Sequence, residues 1–176
     1  MKQKKCRHCK TLFTPSRPIQ VACSIACAVA MARKKREKVE KANDRQKREQ
    51  LKGKQEWLSD VQTLFNKLRR LQLAGEPCIS CSRHHQGQYH AGHFYSVGSH
   101  PELRFEPLNV WKQCKPCNVD KHGNLHEYRK NLHARIGDEK MEWLDGAHEA
   151  KHYTIPQLIE MKAELKRQIK EIEIGL

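Results

Sequence analysis

Eight cysteines fall into two groups of four, Cys6, Cys9, Cys23 and Cys27, then Cys78, Cys81, Cys114 and Cys117, and none is left over. The groups read C-x2-C-x13-C-x3-C and C-x2-C-x32-C-x2-C. Two thiolates a few residues apart on a tight turn reach one ion, and a second such pair closes a tetrahedral shell, the arrangement of structural zinc. Both groups are therefore expected to hold Zn2+; the rival reading of the first is chance cysteines inside an apolar stretch. With 38% hydrophobic and 31% charged residues in 176, the chain is short of material for one large core. An α+β chain of small zinc-stapled modules joined by helices is expected instead.

The modules are expected to be an N-terminal four-cysteine zinc finger over 1–32, a basic and then amphipathic helical region over 33–75, a second zinc domain over 76–137 and a C-terminal helical region over 138–176. Residues 19–32 (IQVACSIACAVAMA) follow a basic start much as the apolar core of a signal peptide would. The lead-in is too long and carries its own Cys pair, and the stretch falls short of the roughly 20 apolar residues that span a bilayer. A cytoplasmic chain without a membrane segment is expected. Trp57, Leu58, Val61, Leu64, Phe65, Leu68, Leu71 and Leu73 recur at helical spacing and should pack on the second zinc module. Thr154 with Pro156 marks a helix start, followed by a stripe of Leu158, Met161, Leu165, Ile169 and Ile172. That stripe suits a docking helix, or the pairing of two chains.

The net charge of +14 draws polyanions and makes nucleic acid the expected partner. Residues 33–54 hold eleven Lys or Arg against four Asp or Glu and almost nothing apolar. This is either a solvated helical linker or a phosphate-contacting arm. As an arm it would use Arg33, Lys34, Lys35, Arg36, Lys38, Lys41, Arg45, Lys47 and Arg48 to bind DNA.

A structural zinc knuckle has no need of thirty-two residues between its Cys pairs, and here that loop carries QYHAGHF, FEPLNVWKQC and CNVDKHGN around its end. Residues 88–95 can form a strand and turn, 103–111 a second extended segment, and Asn118 should open a helix. Two strands and a helix on one zinc resemble the ββα-metal fold of HNH endonucleases. The resemblance places His93 at the general base and Asn109 at the asparagine that holds the loop aiming it. It places Asn118 at the position that binds a divalent cation beside the scissile phosphate. Phosphodiester hydrolysis needs a base with pKa near neutrality and a cation to offset charge on the phosphoryl oxygens. His122, four residues after Asn118, joins it as a candidate ligand for Mg2+ or Mn2+. HNH motifs commonly carry Asp or His directly before the base, where this chain has Gly92. His90 is the substitute, provided a bulge at Gly92 brings it to the face of His93. His84 and His85 follow the first Cys pair of this module in a polar turn, and His126, His133, His148 and His152, among charged residues, read as surface groups. His100 begins His-Pro-Glu, but the order of the surrounding Cys motifs is wrong for a zinc deaminase.

Taken whole, the chain resembles the NinG (Rap) recombination proteins of lambdoid phages. CRHCKTLFTPSRPIQVACSIAC, the basic helix, HAGHFYSVGSHPELRFEPLNVWKQCKPCN and GNLHEYRKNLHARIG carry the likeness. The resemblance implies a structure-specific endonuclease acting on branched intermediates such as Holliday junctions and D-loops, in the cytoplasm of a phage-infected or lysogenic bacterium. Symmetric cutting of a four-way junction needs two active sites, which a homodimer would supply. The alternatives are a non-catalytic zinc-finger protein of branched DNA and an RNA-binding zinc protein, the latter disfavoured by 6% aromatic residues.

Overall fold

A computed structural model describes residues 2–175 and divides into two compact units, residues 1–52 and 53–176. The helical region expected over 33–75 is two helices, and the division between the units falls inside it.

The first unit is a finger and a long helix. Strands β1 (Lys4–Lys5) and β2 (Leu12–Phe13) pair antiparallel around the turn that holds Cys6 and Cys9. Lys10 takes a φ of 67° in that turn. Helix α1 (Ile25–Leu51) is capped by Ser24, whose hydroxyl accepts from the Cys27 amide at 3.2 Å. None of its residues is buried, as its sequence of strong helix formers with few apolar positions requires.

The second unit has a hairpin at its centre. Helix α2 (Lys54–Gln72) opens with the Gly53 amide donating to Glu56 and buries Trp57, Val61, Phe65 and Leu68. Strand β3 (Tyr89–His93) pairs antiparallel with β4 (Val110–Cys114), from Tyr89 opposite Cys114 to His93 opposite Val110. Alternation across the pleat sends Val110 to one core and Trp111 to another. The first core joins α2 to α4 (Ile155–Gly175) through Leu158, Leu165 and Ile169. The second joins Phe94 and Leu103 to Tyr128 and Leu132 of α3 (Leu125–Asp145), which kinks at Gly137, φ 79°. Arg69 of α2 donates to the carbonyls of Val110 and Pro107, both at 3.0 Å, and fixes the entry to β4. Thr154 and Gln157 bond reciprocally at the start of α4, a capping box.

Two expectations are corrected. The stretch 103–111 is not extended: 3-10 turns at Pro101–Leu103 and Pro107–Asn109 precede β4, each led by a proline that cannot donate to a ladder. A regular helix does not open at Asn118 either. Pro116–Asp120 forms a π turn, His122 and Asn124 take left-handed φ values of 46°, and α3 begins at Leu125. The chain first has to wrap its second Cys pair, closing with the Gly123 amide on the Cys117 carbonyl at 3.0 Å.

Candidate metal centres and the histidine cleft

Each cysteine quartet comes together, its four sulfurs within 4.8 Å of one another, and each could hold a zinc ion. In the first, Cys9 and Cys23 lie 3.5 Å apart and Cys23 and Cys27 3.6 Å; in the second, Cys81 and Cys114 lie 4.0 Å apart. Zinc–sulfur bonds of about 2.3 Å set tetrahedral sulfurs roughly 3.8 Å apart, whereas a disulfide needs about 2.05 Å. Backbone amides supply the hydrogen bonds that thiolates accept, Cys23 to Cys6 and Cys114 to Cys78, both at 3.4 Å. The Cys23 amide lowers the Cys6 thiol to about 6, while the neighbouring Cys9 and Cys27 sulfurs push Cys23 up to about 12. Four thiols packed this closely cannot all ionise by themselves; a dication removes the conflict, so the donor set fits zinc. Around the second quartet, Asn124 donates to Cys117 at 3.8 Å, and His85 Nε2 lies 3.1 Å from the Cys81 sulfur. His85, read from sequence as part of a polar turn, thus sits against the candidate metal centre.

Beside this quartet an open cleft of about 830 Å³ runs between the end of β3 and the start of α3. His93, Asn118, His122, His126, Arg129 and Ser96 are on its walls. His93 Nε2 lies 3.2 Å from the Arg104 carbonyl, which can only accept, so Nε2 carries the proton and Nδ1 keeps its lone pair. Burial moves the His93 pKa below its ordinary value, the Arg104 carbonyl works against that, and the Arg104 charge reinforces it. At neutral pH the ring is uncharged.

Asn109 is fully buried and touches both ends of the loop that follows His93. Its Oδ1 accepts from the Tyr95 amide at 2.8 Å, and its Nδ2 donates to the carbonyls of Tyr95 at 3.0 Å and Leu103 at 3.1 Å. The Phe94 amide donates to the Asn109 carbonyl at 2.8 Å. One residue thus holds the backbone next to His93 in place.

The structure brings His93, Asn118 and His122 to one cleft and leaves His90 out of it. Pairing of β3 with β4 runs one-to-one through Gly92 without a bulge, so His90 and His93 stay on opposite faces. Among the described residues His90 Nε2 is buried without a hydrogen-bond partner. Gly92 has its own cause. A Cβ there would lie 2.2 Å from Gln113 Oε1, and Gln113 is held by Nε2 donating to Ser80 Oγ at 2.6 Å and to the Gly123 carbonyl. The Gln113 side chain occupies the room a residue before His93 would need, and it ties β4 to both zinc-binding turns.

His126 and Arg129 were missed as site residues. Their signal was present: they lie three apart at the start of α3, on one helical face. Arg129 grips Asp145 through both Nη atoms, and the Tyr95 hydroxyl donates to the same carboxylate at 2.6 Å. Partial burial alone would raise the Asp145 carboxyl, but the hydrogen bonds from Arg129 and Tyr95 hold it below the usual range. Arg33, Lys34, Lys35, Arg36, Lys38, Lys41, Arg45, Lys47 and Arg48 all stand exposed along α1.

Two cysteine quartets that could each hold zinc, an exposed cationic helix and a cleft walled by histidines define a small α+β protein. A family model described as Bacteriophage Lambda NinG protein matches residues 1–174. The chain is 32% identical to Protein ninG of Escherichia phage lambda over 97% of its own length and 93% of that protein. It is 31% identical to the proteins of the same name from Escherichia phage 933W and Salmonella phage P22, over 97% of itself and 94% of each. The chain belongs to the NinG family. No solved structure gives a significant match. Among the described residues no helix is long and apolar enough to cross a membrane.

Proposed function

We propose that the chain is a metal-dependent, structure-specific DNA endonuclease whose catalytic unit is an HNH-like ββα-metal arrangement of β3, β4 and the start of α3. The observation that carries this reading is His93 on the cleft wall with Nε2 3.2 Å from the Arg104 carbonyl, an arrangement that leaves Nδ1 able to take a proton. Such a group withdraws the proton from an attacking water as that water meets a phosphorus. Asn109 acts as a positioning residue by fixing the loop after His93.

Asn118 and His122 offer an amide oxygen and an imidazole nitrogen on the same cleft, a set that suits Mg2+ or Mn2+ keeping several waters. When bound, that cation offsets charge on the phosphoryl oxygens and the leaving alkoxide. His126 brings a further donor to the phosphate, and Arg129, held by Asp145, lines the same cleft. The two zinc centres are scaffolding in this reading: one holds the catalytic hairpin, the other the finger at the head of α1.

Branched recombination intermediates, Holliday junctions and D-loops, suit this arrangement because a junction concentrates phosphates that a long cationic helix can engage without reading sequence. A homodimer would supply the second site that symmetric cutting requires, and the work would take place in the cytoplasm of the bacterial host. The test is cleavage of a labelled four-way junction beside linear duplex with Mg2+, Mn2+ or EDTA. Metal-dependent cutting confined to the junction is expected. Tight binding with no cutting under any metal would replace this reading with a non-catalytic protein of branched DNA.

A further inference from the structure

Among the described residues, none of the hydrophobic core clusters takes in a residue of the apolar stretch 19–32, although Ala22 is buried. Ile19 is 86% exposed and Ile25 84%, with Val29 at 61% and Val21 at 37%. Ile19, Val21, Ile25 and Ala28 line a groove of about 530 Å³ between the loop before Cys23 and the first turn of α1. Arg17 lines the same groove, and Lys4 donates to the Pro18 carbonyl beside it. Scattered exposed apolar side chains are ordinary; a contiguous set at one groove marks a contact surface.

The charge around the groove selects the occupant. Residues 1–52 hold sixteen Lys or Arg against four Asp or Glu, a net +12. A second copy of this unit would bring +12 against +12. An acidic peptide could answer the charge at the groove, but α1 continues over residues 33–51 as a bare cationic rod of 19 residues, about 28 Å at 1.5 Å each, which calls for an extended polyanion. Among polyanions, nucleic acid also has apolar faces. Stacked duplex hides them, whereas a branch point or a single strand exposes the faces of its bases.

We propose that Ile19 and Ile25 form an apolar knob that seats against unstacked base faces of DNA, while Arg17, Lys4 and the basic face of α1 hold the flanking phosphates. This gives the finger a job separate from that of the helix: the helix binds any duplex, and the knob distinguishes DNA whose stacking is broken. The inference rests on the DNA-binding part of the proposed function and is independent of the role of His93.

The test is equilibrium binding of the full-length zinc-loaded protein to a four-way junction, a single strand and a blunt duplex. Each DNA carries 2-aminopurine either at the branch or inside an arm. The variants are Ile19→Ser with Ile25→Ser, and Ile19→Trp as a bulkier knob; both sites are exposed, so folding and zinc content should match the wild type. The wild type should change the fluorescence of the branch base and not of the arm base. The double serine variant should keep duplex affinity within about twofold and lose about tenfold on the junction. Junction binding and branch fluorescence indistinguishable from wild type would overturn the proposal. So would a serine variant that changed only the oligomeric mass, which would make the groove a protein interface. Intact branch fluorescence with no cleavage under any metal would overturn the nuclease reading and leave this one standing.

Discussion

The two units of the chain differ more in charge than in size. Residues 1–52 carry sixteen Lys or Arg against four Asp or Glu, a net +12, whereas residues 53–176 carry eighteen against sixteen, a net +2. Among the described residues, the unit with the strong field buries nothing along its helix; the unit with the histidine cleft is close to neutral and packs apolar cores on both faces of its hairpin. Under the proposed function, attraction to a polyanion falls to the first unit and chemistry upon it to the second; a helix that only attracts needs no packed core of its own.

The sharpest way to break this comparison is through the metal centres. Cys114→Ser removes a buried ligand between two cores, and since structural zinc in small domains supplies on the order of 10 kcal/mol of folding energy, unit 53–176 should lose its cooperative thermal transition. Cys9→Ser removes an exposed ligand from the finger and should leave that transition in place while zinc content falls by half. Circular dichroism melting with zinc quantification checks both. If the two variants melt alike, the units are not separate.

A smaller effect is expected at the base. His93→Ala should slow single-turnover cutting by about 10²- to 10⁴-fold, the usual range for a lost general base, while junction binding stays within about twofold. Replacing Lys34, Lys35, Arg36 and Lys38 with Gln should do the reverse. The slope of log K against log salt should become shallower by about 3.6, at 0.9 per neutralised phosphate, with the cutting rate at saturation unchanged. A loss of saturated rate in that variant would show that the helix takes part in the chemistry.

The smallest effect tests the support behind His93. Gly92→Ala should cost about 1–3 kcal/mol by driving a methyl into the Gln113 side chain, measured by urea unfolding. Gln113→Ala in the same chain should recover part of that loss. A Gly92→Ala variant as stable as the wild type would mean that Gln113 is not what excludes a side chain there.

Much of this molecule is legible along the chain, and the reasons differ from place to place. The two cysteine quartets could be sorted because ligand spacing is a property of short turns and survives any arrangement of the rest. The stripes of α2 and α4 follow from helical period alone, and they meet in one core. The hairpin was harder. Pro101 and Pro107 lead 3-10 turns that delay β4 to Val110, and wrapping the second zinc site delays α3 to Leu125. The two prolines are a local signal for the first delay, whereas the second is imposed by closing a metal site with Cys78 and Cys81, distant in sequence, and local propensity holds no trace of it. For the same reason the carbonyl of Arg104 that sets the His93 tautomer, and the Gln113 side chain that demands glycine at 92, could not be read from residue order. His90 shows the opposite error, a residue chosen by proximity in sequence that an unbroken strand register turns away.

The most direct measurement is the single-turnover rate of junction cleavage against pH, for the wild type and His93→Ala, with binding measured on the same substrate. Burial lowers the His93 pKa, so the ring loses its proton below the ordinary value of about 6.5. A base acts only when unprotonated; the rate should rise with pH through that lowered pKa and be level by neutral pH. His93→Ala should bind, cut at least about 10²-fold more slowly and show no such rise. A His93→Ala protein that cuts the junction at the wild-type rate, or a wild type that binds the junction and never cuts it, would contradict the assignment of His93 as the base.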